Sequence, residues 1–242
     1  PVSAAGSRSD PAREGGALAE ALRAGLVFLV AALLLRAMAF VPAVIDSDEG
    51  LFILQAREWL RGGWALVAVW DMHPVGVPAL MALAMAAMGQ SLLAIRMLGV
   101  IAVAATALAL HAGARAAGAP RGTALSAGLL YVAMSVLLGG LTTGTEILMA
   151  PFVAAAMAIA IRAASHALDH RAAPGWGALA AMGMLVGWAL VVKPVAFPMG
   201  CLAFALFVLP AWWTGAMGLL RGLAMALAYA LLAYLAGHYF MA

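Results

Sequence analysis

Residues 176–211 read WGALAAMGMLVGWALVVKPVAFPMGCLAFALFVLPA, two apolar runs (176–192 and 195–211) parted by Lys193 and Pro194. Each run is about as long as the ~17–25 residues that cross the hydrocarbon of a bilayer as a helix. Working outward, the same signature recurs at 22–44, 92–113, 122–139, 147–162 and 218–238. A further run, 75–88, is shorter and reads either as a short crossing or as a helix lying at the membrane surface. The whole chain of 242 residues agrees with the runs: it is 67% hydrophobic and 10% charged, with mean hydropathy +1.06. A soluble domain carries about 45–50% apolar and about 25% charged residues, so a water-soluble globule is excluded. Disordered, collagen-like, coiled-coil and disulfide-scaffold classes fail on the long apolar runs and the single cysteine, Cys201. A membrane barrel requires strands that alternate polar and apolar residues, and these runs are apolar all round. The fold class is therefore all-α: a polytopic transmembrane helical bundle of about seven spans.

The net charge of +3 and the pI near 9.5 would suggest nucleic acid in a soluble chain. Here no basic run with interleaved aromatics exists, and the arginines mark loops that stay on the cytoplasmic side. If 75–88 does not cross, Arg8, Arg13, Arg23, Arg115, Arg121, Arg162, Arg171 and Arg221 share one side, while Arg57, Arg61, Arg96 and Lys193 share the other. A crossing at 75–88 would swap every later loop and reverse that asymmetry. The count therefore favours seven spans with a cytoplasmic N-terminus in the plasma (inner) membrane. It divides the chain into a polar N-terminal segment, 1–21, and a transmembrane module, 22–242, whose external loop at 46–91 holds juxtamembrane helices. Ala37-Met38-Ala39 fits a signal-peptide cleavage pattern, but Asp10, Glu14 and Glu20 upstream and Arg36 within the apolar stretch favour a retained anchor.

Charge is expensive at a membrane, so its placement is informative. Six of the ten acids, Asp46, Asp48, Glu49, Glu58, Asp71 and Glu146, fall on the expected outer side. Asp46 and Glu49 have the spacing of a helix-capping box, which leaves Asp48 as the stronger candidate for chemistry. The following LFILQAREWLRGGW puts Leu51, Phe52, Gln55 and Trp59 near one helical face and Arg57 and Arg61 on another, as in an amphipathic helix at headgroup level. Thr143 and Glu146 repeat the capping-box spacing at the start of a span. Lys193, the only lysine, reads either as a snorkelling anchor or as a functional cation. Arg36 lies near the outer end of the first span, paired with the acid cluster or snorkelling. Glycine pairs spaced for close helix contact occur at Gly140/Gly144, Gly183/Gly187 and Gly218/Gly222.

The ordered set "DSDEGLF" (46–52), "AREWLRGGW" (56–64), "WDMHPVG" (70–76) and Glu146 resembles the membrane glycosyltransferases of the C-type fold. Within them it is closest to the protein O-mannosyltransferase and lipid A aminoarabinose transferase group. Asp48 and Glu49 take the place of that group's Asp-Glu pair, and Ala56, Arg57 and Glu58 the run after it. Asp71-Met72-His73-Pro74 takes the place of its Lys-Pro-Pro-like element, with His73 and Val75 departing from it. Glu146 takes the place of the second-loop acid, and Lys193 falls where many relatives have a lysine. The resemblance implies transfer of a sugar from a polyprenyl-phosphate donor to an acceptor lipid, glycan or protein outside the cytoplasm. Relatives are usually about twice this length, so the chain is expected to be the N-terminal part of a longer protein.

The expected site follows. Asp48, Glu49 and Glu146 are the catalytic candidates, with Asp48 as proton acceptor in an inverting transfer. Lys193, His73, Arg57 and Arg61 are candidates for the donor phosphate, where a cation offsets developing charge. Asp46, Asp48 and Glu146 offer oxygen ligands for a hard divalent cation such as Mg or Mn, a cofactor left open at this stage. Asp71, Pro74 and Thr143 are given structural roles. Expected partners are the donor, membrane lipids and the acceptor, with no nucleic acid. The alternative is a non-enzymatic transporter or scaffold subunit. A transporter places ionisable groups at mid-membrane, and Arg36 is the one contender.

Overall fold

The computed structural model describes residues 11–41 and 46–238. Arg8, Asp10 and Ile45 lie outside the described residues, as do the side chains of Arg13, Glu14 and His238. Helix α1 (Pro11–Leu35) leads through a short 3-10 turn (Ala37–Phe40) to α2 (Ser47–Leu60), α3 (Ala65–Ala68) and α4 (Gly76–Met88). Then come α5 (Leu92–Ala116), α6 (Arg121–Leu137), α7 (Thr145–His170), α8 (Trp176–Val192), α9 (Phe197–Trp213) and α10 (Leu219–His238). No strand occurs among the described residues.

Among the described residues, five helical stretches are long and apolar enough to cross a membrane: Gly15–Leu35, Leu92–Ala116, Thr145–His170, Pro194–Trp213 and Leu219–Ala236. Helices α6 and α8 have 17 residues each, the lower end of what spans about 30 Å of hydrocarbon. They are the two return legs between longer neighbours, so the chain makes a helical membrane bundle. The break between α8 and α9 follows from Pro194. A residue before proline is pushed out of the helical region, and Lys193 is extended at φ −155°, ψ 119°.

Helix α4 settles the short run 75–88. A Cβ on Gly76, its first residue, would lie 2.5 Å from the Val191 carbonyl oxygen at the end of α8. Its far end turns through Gly89, at φ +90°, into Ser91, which caps α5 by accepting from the Ala94 amide at 3.4 Å. The end of α8 and the start of α5 sit at the same end of the bundle, since Lys193 meets Glu146 and the Ile95 carbonyl meets Thr143. Both ends of α4 therefore lie at one end, and the helix runs across the bundle rather than through it. Its buried Met81 and Met85 pack with Phe52, Ile53 and Ile95.

Helix α2 departs from the expected surface helix. Phe52 and Gln55 are buried, and the Gln55 amide donates to the Val69 carbonyl at 3.0 Å. The apolar face is thus spent on α4 and the loop beside it rather than on lipid. Of the three glycine pairs, Gly183/Gly187 makes a close helix contact: a Cβ on Gly187 would meet Ala236 of α10 at 2.5 Å. A Cβ at Gly218 would meet open space, and at Gly140 it would strike the local Ser135 carbonyl. The outward faces of α1 and α10 carry exposed leucines, such as Leu22, Leu26, Leu220 and Leu227, the surface a lipid solvent requires.

Candidate active site

The outer-loop acids divide at the first turn of α2. Asp46 is extended at φ −136°, ψ 146°, and its side chain accepts from the Asp48 amide at 3.3 Å, the N-cap role. Glu49 does not complete the capping box. It turns inward, becomes fully buried and forms an ion pair with Arg96 of α5. The same carboxylate accepts the Thr143 amide at 2.8 Å. The Thr143 hydroxyl then donates to the Ile95 carbonyl at 3.0 Å. The expected Thr143/Glu146 capping box is therefore corrected. The N-cap of α7 is Gly144 with no side-chain cap, because Thr143 is turned toward α5.

Of the two expectations for Arg36, snorkelling is corrected: the side chain is completely buried beyond the end of α1, in the corner that also holds Glu49 of the acid cluster. Its Nη2 donates to the Leu141 carbonyl at 3.1 Å and the Thr142 carbonyl at 3.3 Å. Gly99 makes room for this, since a Cβ there would lie 2.6 Å from Arg36 Nη2 and 2.7 Å from Thr143 Oγ1. Together Arg36, Glu49, Arg96 and Thr143 tie α1, α2, α5 and the start of α7 into one corner. Sequence reasoning counted Arg96 only as an outer charge. The signal it carried was a lone arginine inside an apolar run.

That corner positions two exposed groups. Asp48 precedes Glu49 on α2 and faces solvent. Glu146 follows Thr143 by one turn, is 68% exposed and forms an ion pair with Lys193 at the end of α8. Thr145 links them, accepting from Lys193 Nζ at 3.3 Å and donating to Glu146 at 2.8 Å. Lys193 is thus held by a carboxylate and a hydroxyl while a third of its side chain stays open.

In the loop before α4, Asp71 Oδ2 lies 2.8 Å from His73 Nδ1, and Asp71 Oδ1 accepts the Met72 amide at 2.7 Å. Asp71 is nearly buried and His73 a third exposed, with the His73 ring edge-on to Phe52 at 5.5 Å. The carboxylate therefore orients the imidazole, and Pro74 leads into α4. Arg57 lines a shallow cavity of about 340 Å³ between α2 and the start of α5. Arg61 is spent on Glu58 at 2.5 Å in an exposed pair, a contact worth little.

The three-carboxylate metal set is not assembled. Among the described residues no group of three or more His, Cys, Asp or Glu side chains is placed to hold a metal ion. The reason is local: Asp46 caps its own helix and Glu146 is turned to Lys193, so Asp46, Asp48 and Glu146 do not converge.

A protein-family model described as dolichyl-phosphate-mannose-protein mannosyltransferase matches residues 72–238. The match takes in His73, Glu146 and Lys193, and begins after Asp48, Arg57 and Asp71. Nothing matches among curated proteins or among solved structures.

Proposed function

The chain belongs to the dolichyl-phosphate-mannose-protein mannosyltransferase family, a family of membrane glycosyltransferases, and from that premise we propose the reaction and its residues. The donor is a polyprenyl-phosphate sugar, with mannose as the sugar the family name indicates. The acceptor is a hydroxyl of a lipid, glycan or protein. The site is the end of the bundle carrying Asp48, Glu146 and Lys193, on the extracytoplasmic face of the plasma membrane, as the arginine asymmetry supports. The observation that carries this reading is the Glu146–Lys193 pair: two charges 47 residues apart meet, partly open to solvent, at the end of an apolar bundle where α2 also begins.

Asp48 takes the proton of the acceptor hydroxyl as its oxygen attacks the anomeric carbon. The bond from that carbon to the phosphate oxygen breaks, its electron pair leaves on the polyprenyl phosphate, and configuration inverts. General-base help of this kind contributes about 10²–10⁴ in rate. Lys193, shared between Glu146 and the phosphate, offsets the charge that develops on the leaving group. His73, oriented by Asp71, and Arg57 add hydrogen-bond donors on the phosphate side. Glu146 holds the Lys193 ammonium and orients the acceptor. Glu49, buried against Arg96, acts on α2 rather than on substrate. Residues 22–238 act as one transmembrane module in this reading.

The test uses the full chain reconstituted in vesicles with a radiolabelled polyprenyl-phosphate mannose. Asp48→Asn is expected to lower transfer at least about 100-fold with the unfolding temperature unchanged. Parental transfer in that variant removes Asp48 from the mechanism.

A further inference from the structure

The loop between α3 and α4 builds a titratable pair into the end of the bundle that carries Lys193. Asp71 is nearly buried, His73 is a third exposed, and Asp71 Oδ2 lies 2.8 Å from His73 Nδ1. The other carboxylate oxygen accepts the Met72 amide at 2.7 Å. Phe52 walls the imidazole on a second side, its ring edge-on at 5.5 Å. Phe52 stands four residues after Asp48, along the same face of α2. The loop is docked at its other end by Val75 and Gly76, both buried, where a Cβ on Gly76 would lie 2.5 Å from the Val191 carbonyl oxygen. It is therefore clamped between the helix that carries Asp48 and the end of α8, where Lys193 follows.

The carboxylate decides which ring nitrogen is left for a ligand. Both Asp71 oxygens accept, so Nδ1 carries its hydrogen toward Asp71. Nε2 has no hydrogen-bond partner among the described residues. In the neutral ring Nε2 then presents a lone pair, which an anionic oxygen cannot approach as a hydrogen-bond partner. In the imidazolium it presents an N–H, which binds such an oxygen with charge assistance. One proton thus converts His73 from a group that rejects a phosphate into one that holds it. Charges on the packed elements are few. Asp71 is the ion-pair partner of His73 among the described residues, and α3 and α4 carry no titratable residue. On α2, Asp48 lies a turn before Phe52, Glu49 is sealed against Arg96, Arg57 lines the cavity beside α5, and Glu58 pairs with Arg61. Beyond α8, Lys193 is held by Glu146 and Thr145.

We propose that His73 makes donor binding proton-dependent: only its imidazolium form, with Asp71 holding Nδ1 and a hydrogen on Nε2, binds the phosphodiester of the polyprenyl-phosphate sugar. Resting on the donor assignment above, this adds a condition to it. Donor affinity falls as pH rises through the range in which histidine changes charge, because the hydrogen bond and the charge leave together. Asp71 is the positioning residue, since it fixes the tautomer and so denies the neutral ring an outward N–H. Lys193 supplies the part of phosphate binding that does not depend on His73.

The experiment measures binding of radiolabelled polyprenyl-phosphate mannose to the full chain in nanodiscs, without acceptor, at about pH 5 and about pH 8. A phosphodiester keeps its single negative charge across this range, so a change in affinity belongs to the protein. The dissociation constant of the parent is expected to rise at least about tenfold from the lower pH to the higher, the size of one hydrogen bond to a charged group. His73→Lys binds equally at both. In Asp71→Asn the side-chain amide can donate to Nδ1 and leave the neutral ring an Nε2–H. The rise then shrinks to about threefold, since a neutral hydrogen bond is about half as strong as a charged one. A merely structural Asp71 would weaken binding at both pH values and leave their ratio unchanged. Unfolding temperatures near the parental value at each pH show that the variants fold. Parental affinity that is level between the two pH values overturns the inference while the donor assignment stands. So does a rise that persists in full in His73→Lys. Absence of binding at both pH values overturns the donor assignment and the inference together.

Discussion

Two carboxylate–cation pairs lie at the same end of the bundle and differ in one respect. Glu49–Arg96 is sealed, with side-chain exposures of 0% and 1%, whereas Glu146–Lys193 is open at 68% and 32%. Both join residues 47 apart in sequence, and both join helices that end at this face. A sealed pair cannot exchange its partner for substrate, because taking either charge away leaves the other desolvated. An open pair keeps water as an alternative, so its lysine can turn to a phosphate at little cost. Burial, rather than the chemistry of the residues, assigns the first pair to architecture and the second to the proposed reaction.

The comparison breaks most visibly at Arg96. Arg96→Met is expected to lower stability by about 3–5 kcal/mol, read as a large drop in the detergent unfolding temperature. Replacing Glu49 and Arg96 together by apolar residues should recover most of that loss. If Arg96→Met unfolds like the parent, the pair is not the clamp described here. Next in size, Lys193→Met is expected to lower transfer by about 10²–10³ while its unfolding temperature stays near the parental value. A stability loss with parental transfer would exchange the roles of the two pairs.

Smaller effects sharpen the contrast. Gly99→Ala places a methyl against Arg36 and Thr143, both within 2.7 Å, and should cost about 1–3 kcal/mol through overpacking. Glu146→Gln should change stability by less than about 1 kcal/mol and show its effect in transfer alone. Thr143→Ala, which loses the hydroxyl bond to Ile95, should cost about 1 kcal/mol. Measured side by side, the last two separate the corner from the mouth.

Much of this was legible in advance. Runs of apolar residues name the solvent, and the arginine asymmetry anticipated that 75–88 stays at one end, as α4 does. Asp46 was readable as an N-cap because capping is a contact between near neighbours in sequence. Glu49 and Thr143 were misread for the same reason. Both matched a local spacing rule, yet each found a stronger partner on another helix. Arg36 read either as a partner of the acid cluster or as a snorkelling residue; it lies in the corner of Glu49, but no local pattern reveals its hydrogen bonds to two loop carbonyls 105 and 106 positions away. The three-acid metal set failed likewise: nearness to one membrane face does not bring side chains to one point.

The sequence by itself determined that this chain is a helical membrane protein, roughly where its helices lie, and which few residues carry charge. These are consequences of composition and of runs shorter than about 25 residues, since a bilayer reads each segment by its own hydropathy. Only the tertiary structure decided which charges are buried together and which stay open. That depends on which helix ends share a corner, through contacts such as Glu49–Arg96 and Glu146–Lys193 that no segment contains alone.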